Sequence, residues 1–304
     1  MNLYKKFIPK KARFAILRAL KFIPDEPMLK TQYWIKLKRK LDLKNPERWT
    51  EKIQWYKLYY RNEDMPICSD KYRVREYIER KGLSEILIKL YGAYDSPEEI
   101  DLDALPDKFI IKTTNGSGTN IICKDKSKLD REEMIKKVNG FLKQSSASAG
   151  REWPYAQVVP KIIVEELLED PNYEDGTIND YKFFCFNGKP EYVALHVDRF
   201  SKQHRRNLYD TSWNDLHVEL DCCPCSEKPY DKPDNFDQML EIARVLCQDF
   251  PAVRVDLYSV EGKIYFGELT FFPSSGFAQF KPDEFDLEMG RKFVLPEPNY
   301  GIRK

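Results

Sequence analysis

Hydrophobic and polar residues alternate over residues 253–257, and a mainly apolar segment follows over residues 264–272. Period-two alternation is typical of a half-buried strand, and a short apolar run is compatible with a buried one. A Glu-Gly turn signal separates the two segments. We therefore predict a β-hairpin whose three-residue loop at 261–263 pairs Val260 with Ile264.

That pairing places two carboxylates opposite each other. Counting outward from the loop, Asp256 faces Glu268 and Arg254 faces Thr270. Directly opposed like charges destabilise a ladder, whereas Mg²⁺ is held by one or two carboxylates together with phosphate oxygens. We therefore predict a magnesium–nucleotide site on this hairpin. The alternatives are a solvated hairpin face that carries charges, and a two-residue loop whose register would separate the carboxylates.

The first part of the chain, residues 1 to about 105, is predicted to be mainly helical. Between residues 50 and 60, apolar side chains recur at the spacing of one helix face. Ser69-Asp70 can cap a second helix, which Gly82 ends. A short apolar strand is predicted over residues 86–91.

The pattern changes after Lys108 to short strands and glycines. A strand over 109–112 leads into the sequence TTNGSGTN and then into a second strand over 121–123. Glycines let the main chain approach phosphates, and the amides and hydroxyls of such a loop supply donors. The loop lacks the G-x-x-x-x-G-K-[ST] spacing of a P-loop. A phosphate-covering loop and a plain hairpin turn both remain open.

Further elements follow toward the C-terminus. They are a helix from Asp130 to about Lys143, a buried strand over 160–168, a hairpin about Asn187-Gly188 and an amphipathic helix over 236–250. Lys182 lies in an aromatic strand without an obvious partner, and Glu191 or a phosphate could supply one.

Composition narrows the function classes. The 304 residues include 50 Lys and Arg against 49 Asp and Glu, and the formal charge of +1 gives no support for nucleic-acid binding. Seven cysteines, an odd number, favour a reducing compartment such as the cytoplasm. Cys222, Cys223 and Cys225 lack a second C-x-x-C or a nearby histidine pair, so we expect ordinary thiols there. His196, in an apolar strand, is predicted to be a hydrogen-bonded core residue.

Residues 1–23 mix basic and apolar side chains, and no stretch of the chain reaches the roughly 18 apolar residues of a membrane span. Two interpretations are open for this segment. It forms a basic amphipathic helix on an anionic membrane, at the inner face of the plasma membrane, or it packs on its own domain.

Six segments, taken together and in order, resemble the ATP-grasp superfamily and, within it, the TupA-like branch associated with teichuronopeptide and capsular polysaccharide synthesis. They are NPERWTEKIQWYKLYYR, SDKYRVREYI, LPDKFIIKTTNGSG, IIVEELLED, DYKFFCFNGKP and VRVDLYSVEGKIYFGELTFFPSSGF. The resemblance implies an α+β ATP-grasp fold, with two subdomains that clasp ATP. The expected divisions are a helical N-terminal region (1–61), an N-terminal subdomain of the core (62–106), a small subdomain with the glycine-rich loop (107–168) and a large subdomain with the metal site (169–304).

The resemblance also implies roles for individual residues. ATP would be contacted by Lys71, Lys112, the loop residues Gly116, Ser117 and Gly118, and the hinge residues Glu165, Glu166 and Leu168. Mg²⁺ would be held by Asp256 and Glu268, with Thr270 at a position where the family usually has Asn, so the number of Mg²⁺ ions stays open. The predicted catalytic cations are Arg254, Lys182 and Arg206, and the predicted acceptor pocket consists of Arg199, Ser274, Ser275 and Gly276.

The implied reaction is phosphorylation of a carboxylate, after which an amine displaces phosphate to give an amide. The acid would belong to a uronic-acid-containing surface polysaccharide or its precursor. Two alternatives are a glycosyltransferase that binds the metal of a nucleotide-sugar, and a non-catalytic nucleotide-binding scaffold at the membrane, which Thr270 mildly favours. Release of ADP separates the ligase from the scaffold, and dependence on a UDP-sugar would indicate the glycosyltransferase.

Overall fold

The computed structural model describes residues 12, 16–17, 19–116, 118–143, 150–173, 176–199, 204–220 and 223–301. The α-helices in these residues are α1 (Asp25–Leu37), α2 (Trp49–Tyr59), α3 (Asp64–Ser69), α4 (Val74–Arg80), α5 (Arg131–Leu142), α6 (Phe236–Cys247) and α7 (Glu284–Lys292). The strands are β1 (Leu90–Tyr94), β2 (Phe109–Thr113), β3 (Asn120–Cys123), β4 (Ile162–Glu166), β5 (Asp180–Phe186), β6 (Lys189–Val197), β7 (Arg205–Asp210), β8 (Glu219–Leu220), β9 (Ala252–Val260), β10 (Lys263–Thr270) and β11 (Phe280–Lys281).

Two antiparallel sheets organise the chain. The small sheet has the strand order β1-β4-β2-β3, and the large sheet has the order β10-β9-β5-β6-β7. The strand that the sequence predicts over 86–91 is displaced, because Ser84–Ile86 forms a 3₁₀ turn and β1 begins only at Leu90. Since β1 joins β4, it belongs to the small sheet. The division of the chain into four regions stays a prediction.

The small sheet separates a core face from an open face. Phe109 and Ile111 of β2 are buried and pack with Met134 and Val138 of α5. Side chains alternate between the two faces of a strand, so Lys112 lies on the face opposite that core. A cation at the end of β2 is thereby directed away from helix α5.

The large sheet is buried along the whole of β5, because both of its faces are covered. Helix α6 packs against one face, where Phe236 stacks on Phe183 with ring centroids 6.0 Å apart. Lys182, the neighbour of Phe183, lies on the opposite face, the one that carries the predicted metal ligands. The hairpin at Asn187-Gly188 is confirmed, with both residues at positive φ.

The predicted helices are present with small shifts at their ends. Glu51 accepts the backbone N–H groups of Glu47 and Arg48 at 3.0 and 3.1 Å, which satisfies donors at the start of α2. Asp70 accepts the N–H groups of Tyr72 and Arg73 ahead of α4. Most of the basic segment 1–23 lies outside the described residues. Among those described, no helix combines the length and apolar character needed to cross a bilayer.

Candidate functional site

The β9–β10 hairpin closes through a two-residue loop, so the predicted three-residue loop is wrong. Glu261 and Gly262 have φ values of 49° and 79°, the left-handed pair that a tight hairpin needs, and Val260 pairs with Lys263. A two-residue loop alone would separate the predicted carboxylate pair. Asp256 nevertheless faces Glu268, and Arg254 faces Thr270.

A β-bulge at Gly267 restores this register. The ladder shifts by one residue between Phe266 and Glu268, as a bulge requires. A Cβ atom on Gly267 would lie 2.9 Å from the backbone oxygen of Asp256 and 3.2 Å from the ring of Tyr258. The bulge therefore depends on a residue without a side chain, and it sets two acidic side chains opposite each other.

Three cationic contacts hold this pair of acids. Arg254 reaches both oxygens of Asp256, with Nε 2.6 Å from Oδ1 and Nη2 2.7 Å from Oδ2. Its Nη2 also lies 2.8 Å from Oε1 of Glu268. Lys182, on the neighbouring strand, forms ion pairs with Asp256 and, at 2.7 Å, with Asp180. Lys182 thus has two carboxylate partners that the sequence did not reveal, while Glu191 pairs with Lys292.

The two acids differ in environment. The side chain of Asp256 is 1% exposed, whereas that of Glu268 is 45% exposed. Burial raises the pKa of Asp256, and contact with Arg254 and Lys182 opposes that rise. For Glu268, partial loss of hydration acts to raise the pKa, but the cations of Arg254 and Lys182 prevail and lower it to about 2. Glu268 is therefore ionised at neutral pH and available to a cation from the cleft.

This donor set fits Mg²⁺. Asp256 and Glu268 supply hard carboxylate oxygens side by side, and both residues line the cleft. Thr270 contributes no charge; its hydroxyl donates to Oε1 of Glu268 at 3.0 Å and accepts from Arg254 at 3.1 Å. Thr270 therefore orients Glu268, and a third carbonyl-type ligand is missing from this position.

A cleft of about 440 Å³ lies between the two sheets. The large sheet contributes Asp256, Tyr258 and residues 266–268, and the small sheet contributes Ile110, Lys112 and Asn120. The small sheet also contributes Ile122, Glu165 and Glu166. The remaining lining residues come from helix α4 and from loops, and they include Lys71, Val74, Arg75, Leu87, Ile88, Gly118, Leu167–Glu169, Gly176–Ile178 and Arg199. The cleft thus joins residues from positions 71 to 268 in one cavity.

Two lysines of the cleft contact different kinds of acceptor, a carboxylate and a backbone oxygen. Lys112 Nζ lies 2.8 Å from Oε2 of Glu165, and Arg75 Nη1 lies 3.4 Å from Oε1 of the same carboxylate. Lys71 donates to the backbone oxygen of Gly116 in the glycine-rich loop. Burial lowers the pKa of Lys71. The predicted phosphate-binding residues Lys71 and Lys112 are therefore brought together, and Arg75 is a neighbour that sequence reasoning missed.

The predicted hinge and loop residues adjoin this cavity. Glu165, Glu166 and Leu168 line the cleft where β4 ends. Gly118, at φ +71°, lines it from the loop, and Gly116 reaches it through Lys71. Ser117 lies outside the described residues. Strand ends and a glycine loop thus border one side of the cleft.

A comparison with protein-family models finds one described as "TupA-like ATPgrasp", which matches residues 51–294. This range covers most of the chain. The chain belongs to the TupA-like ATP-grasp family. Its α+β ATP-grasp fold, expected from the sequence, is confirmed. A comparison with curated protein sequences gives no match.

Solved structures with a similar fold include several ligases. D-alanine–D-alanine ligase from Bacillus anthracis, complexed with ATP, is 14% identical at a TM-score of 0.42, and the alignment covers 67% of this chain and 55% of that one. The corresponding Helicobacter pylori enzyme is 13% identical (TM-score 0.43; 79% and 64% covered). L-amino acid ligase from Bacillus licheniformis is 12% identical (TM-score 0.44; 77% and 51% covered). The chain thus spans between half and two thirds of the length of these structures.

Not every predicted site residue of this ATP-grasp protein lies at the cleft. Arg199 does, with Nη1 2.5 Å from Oδ2 of Asp180. Arg206 is buried on β7, where it is the cross-strand neighbour of His196. It is not among the residues that line the cleft. Lys182 is buried behind Asp256. Lys182 is therefore placed to support Asp256, whereas Arg206 lies away from the residues that line the cleft.

The predicted acceptor residues Ser274, Ser275 and Gly276 form a left-handed turn after β10, with φ values of 51°, 53° and 64°. A Cβ on Gly276 would lie 2.5 Å from Nε2 of Gln54, so the turn fits closely against α2. These residues are not among those lining the cleft. Instead, helix α2 of the N-terminal region packs against this turn.

A buried lysine that sequence reasoning missed supports this turn. Nζ of Lys57 donates to the backbone oxygen of Ser275 at 2.8 Å, to its hydroxyl at 3.0 Å and to the backbone oxygen of Gly150 at 3.0 Å. Burial lowers the pKa of Lys57 to about 8. The sequence contains an indication that Lys57 is buried, because Lys57 follows the buried Ile53 by four residues and therefore shares its helix face.

Proposed function

We propose that this ATP-grasp protein is an ATP-dependent ligase that activates a carboxylate as an acyl phosphate and joins it to an amine. The observation that carries the proposal is the cleft. Lys71 and Lys112 line the same cavity as Asp256 and Glu268. Cations that bind phosphates and carboxylates that hold Mg²⁺ are the parts that phosphoryl transfer needs, and covalent side-chain chemistry is not required.

The reaction consists of two displacements. An oxygen of the substrate carboxylate attacks the γ-phosphorus of ATP, the bond to the bridging oxygen breaks, and ADP leaves. The nitrogen of the amine then attacks the acyl carbon, inorganic phosphate leaves with the electron pair of the acyl–oxygen bond, and the nitrogen loses one proton. ATP, acid and amine thus become ADP, phosphate and amide.

The chain contributes binding, orientation and charge. Glu268 and Asp256 would hold Mg²⁺, which supplies neutralisation of the phosphate charge when it is bound. Arg254 contacts both acids and would stabilise negative charge on the transferring phosphoryl group. Lys71 and Lys112 would bind phosphate oxygens, for which Lys112 exchanges its contact with Glu165. Adenine would lie against the 165–168 hinge.

The acid is proposed to be a uronic acid of a surface polysaccharide or its precursor, and the amine an amino acid or amino sugar. Membership of the TupA-like family supports this class of substrate. Arg199 supports it as well, because its guanidinium borders the cleft and could pair with a substrate carboxylate. A cytoplasmic location, with or without contact of residues 1–23 with the membrane, belongs to the same proposal.

The test is ADP release measured with ATP, Mg²⁺, uronic-acid oligosaccharides and a panel of amines, with the amide product identified by its mass. The ligase requires both acid and amine for full ADP release. Glu268→Gln is the matched inactive control. Binding of ATP without any acid-dependent ADP release would favour the scaffold alternative, and release of UDP from a UDP-sugar would favour the glycosyltransferase.

A further inference from the structure

A thiol and two imidazoles meet near the far strands of the large sheet, outside the residues that line the cleft. Nδ1 of His196 lies 3.0 Å from Nε2 of His204, and Sγ of Cys223 lies 3.7 Å from the same Nε2. All three ligand-type atoms lie within 4.8 Å of one another. Cys223 is buried, and the two histidines are partly exposed.

Hydrogen bonds and strand pairing hold the backbone around this cluster. His196 lies on β6, opposite Arg206 of β7. The N–H of Arg206 donates to the backbone oxygen of Pro224 at 3.1 Å, and the N–H of Ser226 donates to Oδ1 of Asn207 at 2.9 Å. These bonds hold the segment that carries Cys223 against β7, close to His204, which directly precedes β7, and to His196 on the neighbouring strand β6.

The separations match a metal site. Zinc binds imidazole nitrogen at about 2.0–2.1 Å and thiolate sulfur at about 2.3 Å in a tetrahedral arrangement. Tetrahedral angles then place two nitrogens about 3.3 Å apart and nitrogen and sulfur about 3.6 Å apart. The distances of 3.0 and 3.7 Å lie within a few tenths of an ångström of those values. We propose that His196, His204 and Cys223 bind a zinc ion, independently of the ATP site.

The ligand types support this assignment. A metal requires imidazole nitrogens and a thiolate that carry no proton, and two histidines and a cysteine supply these groups. The nearby cations Lys182 and Arg206 oppose the binding of a zinc cation, and the thiolate of Cys223 would offset part of that repulsion. Cys225, which the structure also describes in this segment, is turned away from the cluster, since its Sγ donates to the backbone oxygen of Val218 at 3.6 Å.

Three protein ligands leave one tetrahedral position for water or a substrate group, as in catalytic rather than structural zinc sites. His196 is the cross-strand neighbour of Asp180, which pairs with Lys182, the partner of Asp256. Strands lie about 4.8 Å apart, so β6, two strands from β9, is roughly 10 Å from the strand of Asp256. The zinc would therefore lie within reach of a saccharide substrate that extends from the cleft.

The experiment measures metal content of the full chain, purified without chelators and equilibrated with zinc, and then the absorption of the Co²⁺-substituted protein. We expect about one zinc per chain and a thiolate-to-cobalt charge-transfer band in the near ultraviolet. His204→Ala and Cys223→Ser should lose the zinc, and Cys223→Ser should lose the band. Cys225→Ser and His217→Ala are the matched controls and should keep both, because Cys225 faces Val218 and His217 is exposed.

Thermal unfolding in the presence of ATP and Mg²⁺ shows whether each variant is folded. The nucleotide cleft does not include His196, His204 or Cys223, so their substitution should leave the response to nucleotide unchanged. The proposal is overturned if the wild-type chain takes up no zinc at micromolar free metal. It is equally overturned if folded His204→Ala and Cys223→Ser variants retain the stoichiometric ion and the band. Loss of zinc with an unchanged nucleotide response would support the site and leave the proposed ligase activity to its own test.

Discussion

Glu268 and Asp256 face each other on one ladder, yet we expect their substitution to affect the stability of the protein to different degrees. Glu268 is open to the cleft, and its pKa is lowered to about 2, mainly by Arg254 against the opposing loss of hydration. We predict that Glu268→Gln lowers kcat by at least about 100-fold, because a metal supplies several kcal/mol of charge stabilisation. The thermal midpoint of the variant should fall, because the ionised Glu268 stabilises the fold through Arg254, but the fall should be small because the side chain is 45% exposed. Steady-state ADP release together with thermal unfolding checks both.

Asp256→Asn should lose turnover to the same degree and should also unfold more easily. Asp256 is buried between Arg254 and Lys182, and removal of one charge from a buried ionic network costs about 3–5 kcal/mol. Wild-type rates in either variant would remove the carboxylates from the metal site. Equal stability of the two variants would contradict the different environments assigned to them.

Lys57 gives a pH prediction at the same scale. Its folded-state pKa of about 8 lies below its ordinary value of 10.5 because the amine is buried. Below pH 8 Lys57 is charged in both states and its burial destabilises the fold. As the pH rises from 8 to 10.5 the folded protein releases this proton first, and stability increases. We predict that the free energy of unfolding of wild type rises by about 3 kcal/mol relative to Lys57→Met across this interval.

Urea unfolding of both proteins at several pH values between 7 and 10.5 measures that difference. Other titrating groups are shared and cancel in the comparison. A difference that is flat with pH would show that Lys57 keeps its ordinary pKa in the folded state.

Single residues were the most predictable part of the site where strand register or motif order fixed them. Asp256, Glu268, Lys71 and Lys112 all line the cleft. Lys182 was identified without Asp256 as its partner, because Asp256 is 74 residues away and only the pairing of β5 with β9 brings it close. Its second partner, Asp180, lies two residues away on the same strand, a spacing that places both side chains on one face. The histidines beside Cys223 were missed because ligands from three segments leave no local spacing to recognise.

At the scale of elements, the β9–β10 hairpin depends on two glycines with different structural roles. Gly262 supplies positive φ in the loop, and Gly267 leaves room for the bulge. We predict that Gly267→Ala destabilises the protein by about 1–3 kcal/mol, because its Cβ would contact the backbone of Asp256. It should also weaken magnesium–nucleotide binding, because the carboxylates would no longer be aligned.

Gly262→Ala is the matched control. Its positive φ makes alanine unfavourable by roughly 1–2 kcal/mol, but the loop is remote from Asp256 in the ladder. Urea unfolding and nucleotide titration of the two variants separate stability from binding. If Gly262→Ala weakens nucleotide binding as much as Gly267→Ala does, the bulge has no special role in aligning the carboxylates.

Element types and their order followed from the hydrophobic pattern, but turn geometry did not. The Glu-Gly signal allowed loops of two or three residues, and the choice of three gave the right carboxylate pair for the wrong reason. The true register combines a shorter loop with a bulge, and a single Gly within a strand is only a weak indication of a bulge. The strand predicted over 86–91 was displaced because its apolar residues begin in a 3₁₀ turn.

At the scale of the whole molecule, the cleft exists only because two sheets meet. The small sheet contributes Lys112, the large sheet contributes Asp256 and Glu268, and α4 contributes Arg75. The fold class was predictable from the ordered set of motifs, whereas the packing of residues 49–86 into the core of the large sheet was not. We propose that this cleft binds an adenine nucleotide with Mg²⁺.

Thermal unfolding with Mg²⁺ and, separately, ATP, ADP, UDP, a UDP-sugar or no ligand measures this binding. A ligand that binds only the folded state stabilises it by about 2.7 kcal/mol at a hundredfold excess over its dissociation constant. We predict a magnesium-dependent rise of the midpoint with ATP and ADP and a smaller rise in Lys112→Ala, because Lys112 would bind phosphate. No rise with adenine nucleotides, or a rise only with UDP compounds, would contradict the ATP-grasp assignment of this cleft.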